Sequence, residues 1–461
     1  MEGLLLFGLG LAGLVAVALR PEWVAPYFTF LLYMRWSDTL RTEFGVPPLF
    51  MLAAPGLLLL LFGRWLFSGA PVGQAWRPAL VLALLYGGVC LGSLLFAVEP
   101  ERTGEALMNQ LDGLFILMVL VLALRTPLDF ERTLTAILLA GLVLGGLSVY
   151  QQLSGSFDAS FAGFARAELR NIYDETSSAR SEGPVSANYF ALILVVVVPL
   201  AVHRLLHGEE RLERLLGGLT AAVSLAAIGF TYSRGGVVAL AAVALPMAIW
   251  VPRRRRLHVA AAAAVLGVAA VVALGPTQFG QRLAALSEIT SVAKGRMPAD
   301  SALRGRISEM TAAVMMFADH PVFGVGYGNY ETHYHRYARE IAIDGRREER
   351  QTHSLYLEVA AETGLVGLAV FGALLAFALS GVLRARRALL EAGREREAQA
   401  TTALAIALFG YLTGSVFLHL SYPRYFWLLV GIAFAVRGLA QSQPAAGRVE
   451  AHQPALVGSR A

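Results

Sequence analysis

Cysteine, lysine and charge are all scarce in this sequence. Its 461 residues include one cysteine, Cys90, which lies in an apolar run and excludes both an intrachain disulfide and a cysteine-based metal site. Lysine occurs once, at Lys294, so arginine supplies nearly all of the 38 basic residues. Charged residues make up 15% of the chain, whereas ordinary soluble domains have about 25%. These shortages exclude a disulfide scaffold, a disordered chain and a typical soluble enzyme.

Apolar residues, by contrast, are in excess. They make up 56% of the chain, and the mean hydropathy is +0.58. Because a membrane-spanning helix needs about 20 mostly apolar residues, the sequence predicts an all-α polytopic membrane protein with 12 or 13 transmembrane helices. The first two candidate segments are short and are compatible with one broken or re-entrant unit. The candidates are 4–19, 24–35, 47–67, 78–98, 109–124, 133–153, 186–206, 213–232, 234–251, 259–275, 355–382, 401–420 and 425–440.

Basic residues predict the orientation of these helices, since cytoplasmic loops carry an excess of arginine and lysine. The run Arg253–Arg256 is the strongest cytoplasmic anchor, and the cluster from Arg384 to Arg396 is the second. Two spans separate the anchors, so the segment between those spans is expected outside. The predicted parts are an N-terminal transmembrane bundle at 1–153, a first external loop at 154–185, central transmembrane helices at 186–275, a large external (periplasmic) loop at 276–353, C-terminal transmembrane helices at 354–440 and a cytoplasmic disordered tail at 441–461.

The large external loop contains a helical pattern. Between Arg304 and Ala318, apolar residues recur at three- and four-residue spacing, which predicts an amphipathic helix. Such a helix is expected to lie on the membrane surface or to cap the bundle. The apolar positions are Ile307, Met310, Val314 and Phe317.

Arginine is unusually frequent on the predicted outer face, against the usual charge bias. Guanidinium groups bind phosphate oxygens in a bidentate manner, so an arginine cluster between membrane helices suits a lipid-linked diphosphate. We favour this function for Arg180 and Arg234, for which an interfacial arginine is the alternative. For Arg336 to Arg350 we favour pairing with nearby acidic residues. The outer arginines are Arg166, Arg170, Arg180, Arg234, Arg304, Arg306, Arg336, Arg339, Arg346, Arg347 and Arg350.

His353 is the candidate general base. It ends the large loop just before a span, where a histidine can take a proton from a hydroxyl group near neutral pH; a capping or interfacial histidine is the alternative. His320 is expected to stop a helix and form a turn, and the glycines after it do not form a nucleotide loop, because no strand precedes them and no Lys-Ser/Thr follows. A metal site at His333 and His335 is the less favoured interpretation, because no partner has suitable spacing.

Four short motifs, taken in order, resemble the bacterial O-antigen ligase and O-antigen polymerase superfamily of lipid-linked glycan transferases. Each is weak alone, and together they cover about 180–370. They are Arg180-Ser181-Glu182-Gly183-Pro184 with Asn188; Ser233-Arg234-Gly235-Gly236; Gly305-Arg306 with His320-Pro321 and Gly324-Val325-Gly326; and Thr352-His353-Ser354-Leu355-Tyr356-Leu357-Glu358 with Glu362-Thr363-Gly364-Leu365-Val366-Gly367. Ser354 departs from the family, which often has asparagine at this position.

The resemblance implies a GT-C-like, all-helical, inverting transferase that needs no cofactor and no metal. The donor would be a glycan on undecaprenyl diphosphate, and the acceptor a sugar hydroxyl, either on lipid A–core or on another lipid-linked glycan. His353 would act as the base, while Arg180, Arg234 and Arg306, helped by Arg304, would bind the diphosphate. The protein would lie in the bacterial inner membrane with its active site facing the periplasm. A chain-length regulator is an expected partner only for a polymerase, and no nucleic acid partner is expected.

Two alternatives stay open. A polytopic transporter of a small anion or solute is the competing function, and acidic groups buried at mid-membrane would favour it. Within the transferase class, the sequence favours a ligase and a polymerase almost equally. Ligases can carry an acidic residue at the outer end of a late span, whereas the corresponding stretch from His419 to Arg424 has none, which favours a polymerase slightly.

Overall fold

Helices dominate the fold. A computed structural model of the chain describes residues 2–46, 50–68, 75–170, 178–251, 301–341, 343, 350–419 and 423–439. Within these ranges the strands form one two-stranded antiparallel sheet, and all other regular elements are helical. Six of the described helices are long and apolar enough to cross a membrane. The predicted class is therefore confirmed: the protein is an all-α polytopic membrane protein.

The elements follow one another along the chain as a succession of helices with a single hairpin before α8. The candidate spans are α5 with the 3₁₀ turn that extends it to Leu95, α6, α7, α8, α9 and α13. The described elements are α1 (Glu2–Leu19), α2 (Val24–Tyr33), α3 (Trp36–Phe44), α4 (Phe50–Ser68), α5 (Trp76–Gly92), α6 (Pro100–Ala123), α7 (Pro127–Ser154), β1 (Ala167–Arg170), β2 (Ser178–Ser181), α8 (Ala187–His207), α9 (Arg211–Phe230), α10 (Arg234–Trp250), α11 (Ser301–Asp319), α12 (Tyr330–Ile341), α13 (Leu355–Glu391), α14 (Glu395–Gly414) and α15 (Pro423–Leu439).

Every predicted segment that falls within the described residues overlaps a helix. The first two segments form the separate helices α1 and α2, with a 3₁₀ turn at Pro21–Trp23 between them. Segment 259–275, the Arg253–Arg256 anchor and the tail at 441–461 lie outside the described residues. The count of 12 or 13 transmembrane helices therefore stays a prediction.

The core of the bundle is built around α8. Its sequence is apolar on all sides, and every residue from Tyr189 to Arg204 is buried, as expected for a helix that other helices surround. α14 approaches it closely at Gly414, where a Cβ atom would lie 2.3 Å from Cδ1 of Leu192. Small residues permit such close helix packing in membrane proteins. The helices that begin or end beside α8 are thus held at short distance from one another.

A sharp break divides α13 near its start. Gly364 has φ +62° and ψ −160°, a conformation that glycine adopts far more readily than other residues. Near this break, the carbonyl groups of Ala361 and Glu362 accept hydrogen bonds from the N–H groups of Val325 and Gly326, at 2.9 and 3.0 Å. The glycine-rich turn after α11 is thereby joined to α13. Glycines of the third and fourth motifs serve this joint, in agreement with the exclusion of a nucleotide loop.

The loop helix predicted between Arg304 and Ala318 is α11, and it caps the site by packing on α12 and α13. Its predicted apolar positions form the more exposed side, with Val314 half exposed. The side that packs on the protein carries small and polar residues and one methionine. They are Ser308, Glu309, Ala312, Ala313 and Met316.

Candidate functional site

The four motifs meet at one end of the helical bundle, here called the site end. It comprises the first turns of α8, α10, α13 and α15, the last turns of α9 and α14, and the β1–β2 hairpin. One link between these elements is the N–H group of Leu355, which donates to the carbonyls of Ser415 and Leu418, at 3.0 and 2.8 Å. Because successive helices run in opposite directions, residues far apart in the sequence share this end.

Arg180 is oriented by three elements. It lies on β2, opposite Glu168 of β1, and its Nη1 atom is 3.6 Å from a carboxylate oxygen of that residue. Its Nε atom donates to the carbonyl oxygen of Thr231 at 2.6 Å, and Nη2 donates to Oδ1 of Asn188 at 2.8 Å. The side chain is 15% exposed. Both of these hydrogen bonds go to neutral oxygens, which orient the guanidinium group.

Arg234 opens α10 beside these partners. The preceding residue, Ser233, caps the helix: its hydroxyl accepts a hydrogen bond from the N–H group of Gly236 at 3.1 Å and donates one to Oδ1 of Asn188 at 2.8 Å. Asn188 therefore connects Arg180 to the start of α10, where the helix dipole favours an anion. Arg180, Asn188, Ser233 and Arg234 together are the arginine side of the site.

Two non-glycine residues of the site have a left-handed backbone. They are Tyr232, with φ +49°, and His353, with φ +50°. Each stands two residues before the first residue of a helix, α10 or α13. This conformation costs of order 1–3 kcal/mol for a non-glycine residue, and such strain concentrates at functional sites. Both motifs thus turn abruptly into the helices that follow them.

His353 lies against a buried carboxylate. Its Nδ1 atom is 3.0 Å from Oε2 of Glu309 and 3.1 Å from the carbonyl oxygen of Gln351. The hydrogen bond to the Gln351 carbonyl assigns the proton to Nδ1 and leaves a lone pair on Nε2, while the Glu309 carboxylate lies beside the protonated nitrogen. Nε2 makes no hydrogen bond to the described part of the chain, and the side chain is 25% exposed. His353 therefore has a basic nitrogen available to a ligand.

Glu309 is a site residue that the sequence interpretation did not single out. It lies on α11, and its side chain is 2% exposed. Its other carboxylate oxygen is 3.9 Å from Nη1 of Arg350, and its backbone carbonyl accepts a hydrogen bond from the hydroxyl of Tyr330 at 2.7 Å. A buried carboxylate is stable only with such partners. The contact of Arg350 also agrees with the pairing interpretation for the late outer arginines.

His419 connects the two halves of the site. Its ring centre is 5.3 Å from that of His353 and 5.8 Å from that of Tyr189, whose hydroxyl donates to the backbone carbonyl of His419. Burial, together with the neighbouring His353, lowers the pKa of His419 to about 3. The ring is therefore neutral near pH 7 and does not oppose a positive charge on His353. His353, Glu309 and His419 are the histidine side of the site.

Arg304 and Arg306 lie near the start of α11, and both side chains are partly buried. Arg306 stands one turn before Glu309, so the two side chains are neighbours on the helix surface. The described contacts do not join either arginine to Arg180 or Arg234. Because α11 also carries Glu309, these two arginines stand on the helix that contacts His353.

A cavity of about 450 Å³ adjoins the histidine side. Gln351, Thr352 and His419 form one part of its wall, and residues of α6, α12 and α13 form most of the rest. Among the described lining residues are four glutamates and one arginine, so the described part of the wall is mainly acidic. The acidic lining residues are Glu105, Glu331, Glu358 and Glu362.

Buried carboxylates within the spans bear on the transport alternative. Asp112 of α6 lies 2.9 Å from Nη2 of Arg424, and Glu362 of α13 accepts a hydrogen bond from the N–H group of Tyr330 at 3.1 Å. Both are bonded to the protein, as structural carboxylates are, and so they do not favour transport. Among the described residues, no group of three or more His, Cys, Asp or Glu side chains is placed to hold a metal ion.

Two signals in the sequence could have indicated the missed residues. Glu309 has the helical spacing of the small residues Ala312 and Ala313, which mark the protein-facing side of α11. His419 lies at the end of the predicted span 401–420, within the stretch that departs from the ligase pattern.

A protein-family model described as O-antigen ligase (Wzy_C) matches residues 219–372. This segment carries Arg234, Arg304, Arg306 and His353, whereas Arg180 precedes it. No curated protein matches the chain. The predicted resemblance is confirmed: residues 219–372 match the O-antigen ligase family, within the superfamily that the four motifs indicated.

Proposed function

We propose that this protein is an integral-membrane glycosyltransferase that moves a glycan from undecaprenyl diphosphate onto a sugar hydroxyl. The pairing of His353 with Glu309 at 3.0 Å, at the same end of the bundle as Arg180 and Arg234, carries this proposal. This end of the bundle therefore combines an oriented base with a group of cations. The matched family supports glycan ligation or polymerisation in a membrane.

The arginine side binds the donor diphosphate. Diphosphate is already a good leaving group, so the protein has mainly to hold it and to stabilise the charge that develops as it departs. Arg180 is suited to this because Thr231 and Asn188 fix its guanidinium plane. Arg234 adds a second cation at the helix start. Arg306, helped by Arg304, contributes from α11.

Transfer is a single displacement with inversion at the anomeric carbon. The acceptor oxygen forms a bond to that carbon while the bond from the carbon to the diphosphate oxygen breaks, and the electron pair leaves with undecaprenyl diphosphate. The proton of the acceptor hydroxyl moves to Nε2 of His353. Glu309 holds the ring and stabilises the imidazolium ion that forms. A positioned base of this kind contributes about 10²- to 10⁴-fold to the rate. Neither a metal nor a cofactor takes part in this step.

The site end faces the periplasm from the inner membrane. α13 runs from the site end to Glu391, so the arginine cluster that begins at Arg384 lies at the opposite end, where the positive-inside rule places the cytoplasm. The acceptor is lipid A–core if the protein is a ligase. It is a second lipid-linked glycan if the protein is a polymerase, which would then work with a chain-length regulator.

The test is a transfer assay with purified protein in detergent and undecaprenyl-diphosphate glycan, with lipid A–core present in one tube and absent in another. A longer lipid-linked glycan without lipid A–core identifies a polymerase, and glycan on lipid A–core alone identifies a ligase. His353→Ala should lower either product about 10²- to 10⁴-fold. His335→Ala, which changes a partly buried histidine of α12, is the matched control and should keep the parent rate.

Formation of product at the parent rate by His353→Ala would contradict the role of this residue. Absence of product from the parent protein in both tubes would contradict the transferase function. Transport of a small anion or solute would then be tested in proteoliposomes.

A further inference from the structure

A groove opens between α4, α5 and α6, away from the site. Its volume is about 350 Å³, and all of its described lining residues are apolar or aromatic. Leu59 and Phe62 are exposed members of the lining, so the groove is open to the bilayer. A groove of this kind accepts an acyl chain. It is lined by residues between Leu58 and Trp65 of α4, by Trp76 and Leu80 of α5, and by residues between Leu114 and Leu122 of α6.

The groove reaches the end of the bundle opposite to the site end. α6 begins beside the histidine side, where Arg102 and Glu105 line the same cavity as Thr352. The helix has 24 residues, so its last turn lies about 36 Å from its start. Leu122 belongs to that last turn and lines the groove. The Leu122 end of the groove therefore lies near the opposite surface of the membrane.

Two tryptophans stand at this end of the groove. The ring centre of Trp65 is 6.3 Å from that of Trp76 and 5.2 Å from that of Phe62. Tryptophan is enriched where the hydrocarbon core of a membrane meets water. These rings thus place the end of the groove at the level of the lipid head groups, and the lining residue Leu114 lies about 12 Å deeper along α6.

Arginines adjoin the same end. The guanidinium carbon of Arg77 lies 5.4 Å from the ring centre of Trp76. The Nε atom of Arg125 donates to the carbonyl oxygen of Leu122 at 3.0 Å. Both arginines therefore contact residues that line the groove, and Arg64 directly precedes a third lining residue in the chain.

The carboxylate nearby is used by the backbone. Oδ2 of Asp129 accepts hydrogen bonds from the N–H groups of Thr126 at 3.0 Å and of Arg125 at 3.3 Å, so it caps α7 and forms no ion pair with a guanidinium group among the described contacts. Burial lowers the pKa of Arg125, Asp129 raises it, and the neighbouring Arg64 lowers it again. The stretch 69–74, between α4 and α5, contains no charged residue. This end of the groove is therefore cationic.

Orientation of the helices accounts for arginine at this end but not for its contacts. The positive-inside rule requires only charge in the loops. Arg125 is instead partly buried, and Arg77 lies over an aromatic ring. A phosphate group offsets the cost of such placement, because guanidinium groups bind its oxygens in a bidentate manner. A phospholipid supplies both the phosphate and the acyl chain that the groove accepts.

We propose that the groove between α4, α5 and α6 binds an anionic phospholipid. One acyl chain lies along the apolar lining, and the phosphate contacts Arg77 and Arg125 beside the two tryptophans. A lipid of net negative charge is preferred to a zwitterionic one because arginine attracts it without repelling a second, positive group. The site is remote from the arginine and histidine sides, so the inference does not depend on the transferase function.

Native mass spectrometry of the purified full chain in detergent tests the proposal. The protein is titrated with phosphatidylglycerol, which is anionic, or with phosphatidylcholine of the same acyl chains, which is zwitterionic. We expect phosphatidylglycerol to bind at least about tenfold more tightly, since each arginine near the head groups contributes about fivefold.

Two variants assign the preference to the groove. Arg77→Gln and Arg125→Gln should each weaken binding of phosphatidylglycerol about fivefold and leave binding of phosphatidylcholine unchanged within about twofold. Arg211→Gln is the matched control, because Arg211 is an exposed arginine that begins α9 and does not line the groove. It should change neither affinity.

A phosphatidylglycerol with a photoreactive acyl chain locates the lipid. We expect cross-links on peptides of α4, α5 and α6 that contain groove residues such as Leu59 and Phe115. Cross-links spread evenly over the spans would overturn the proposal, as would equal affinity for the two lipids. A preference that the double variant of Arg77 and Arg125 retains would also overturn it. A dimer that excludes the lipid, visible in the same spectra, would assign the groove to a second copy instead.

Discussion

Two poorly exposed arginines stand at opposite ends of the bundle, and the protein holds them in different ways. Arg204, near the end of α8, is 5% exposed and lies 2.9 Å from carboxylate oxygens of both Glu131 and Glu213. Arg180, at the site end, is 15% exposed and lies 3.6 Å from the carboxylate of Glu168, while its shorter bonds go to a backbone carbonyl and a side-chain amide.

The comparison separates a structural arginine from one suited to bind an anion. A guanidinium group between two carboxylates at 2.9 Å has its charge neutralised locally, and it joins three helices. A guanidinium group oriented by neutral oxygens keeps more of its positive potential for a ligand. Residue type and burial are similar in the two cases, so the nature of the partners decides the function.

The largest expected effect is on stability, at the end opposite to the site. Arg204→Ala removes the closest cation of Glu131 and Glu213 and leaves them Arg396, at 4.0 and 3.5 Å. Because breaking a fully buried pair costs about 3–5 kcal/mol, we expect a loss of stability at or below the low end of this range. We expect a clear fall in the unfolding midpoint in detergent, while transfer per folded molecule changes less than about twofold. Arg211→Ala, at an exposed position that begins α9, is the control and should leave the midpoint unchanged. A strong loss of specific activity in Arg204→Ala, with normal stability, would contradict the structural role of Arg204.

At the site end we expect the reverse: a large loss of transfer and little loss of stability. Arg180→Ala should lower transfer about 10²- to 10³-fold, the size of effect that follows loss of one group stabilising transition-state charge. Its unfolding midpoint should stay close to that of the parent protein. Arg180→Lys should recover little activity, because an ammonium group cannot reproduce the planar guanidinium fork.

The control for this experiment is Arg339→Ala, since Arg339 is an exposed arginine of α12 at the same end. It should keep both activity and stability. Full recovery by lysine, or a loss of stability equal to that of Arg204→Ala, would mean that Arg180 is a structural residue like Arg204.

Two carboxylates, one at each end of the bundle, differ in the same way as the two arginines. The expected effect on activity is smaller. Glu131 neutralises an arginine, whereas Glu309 orients His353 as a positioning residue. Glu309→Gln keeps a hydrogen-bond acceptor beside Nδ1 but removes its charge, so kcat should fall about tenfold while KM is unchanged. Glu340→Gln, an exposed change on α12, is the control and should leave both constants as they are. An increase in KM alone would contradict a positioning role.

The helices could be predicted from the sequence because a span is a local feature, a run of about 20 apolar residues. The β1–β2 hairpin was not predicted, since four-residue strands such as Ala167–Arg170 carry charged residues and no apolar alternation. The break at Gly364 was not predicted either. It depends on hydrogen bonds to a turn about 40 residues earlier in the chain, which no local pattern reports.

The site was predictable where position along the spans determined it. Arg180, Arg234 and His353 were expected on one face because each adjoins the same end of its span, and their helices do begin or end together. Glu309 and His419 could not be found in this way. Their relation to His353 depends on how α11 packs on α13 and on how the chain turns after α14, both of which are tertiary contacts.

The smallest expected effect concerns the pH dependence of stability at the site end. Burial, with His353 beside it, lowers the pKa of His419 from its ordinary value of 6.5 to about 3. Below pH 6.5 the unfolded chain binds a proton that the folded chain refuses until about pH 3, so stability falls as the pH is lowered through this window. Near pH 5.5 the loss from this residue is about 1.4 kcal/mol. The unfolding midpoint of His419→Gln should therefore fall less between pH 7.5 and pH 5.5 than that of the parent protein. The midpoint of His320→Gln, a change at an exposed position, should fall as much as that of the parent. An equal loss in His419→Gln would show that the folded protein tolerates a charge at this position and that the histidine side is more open to water than its burial indicates.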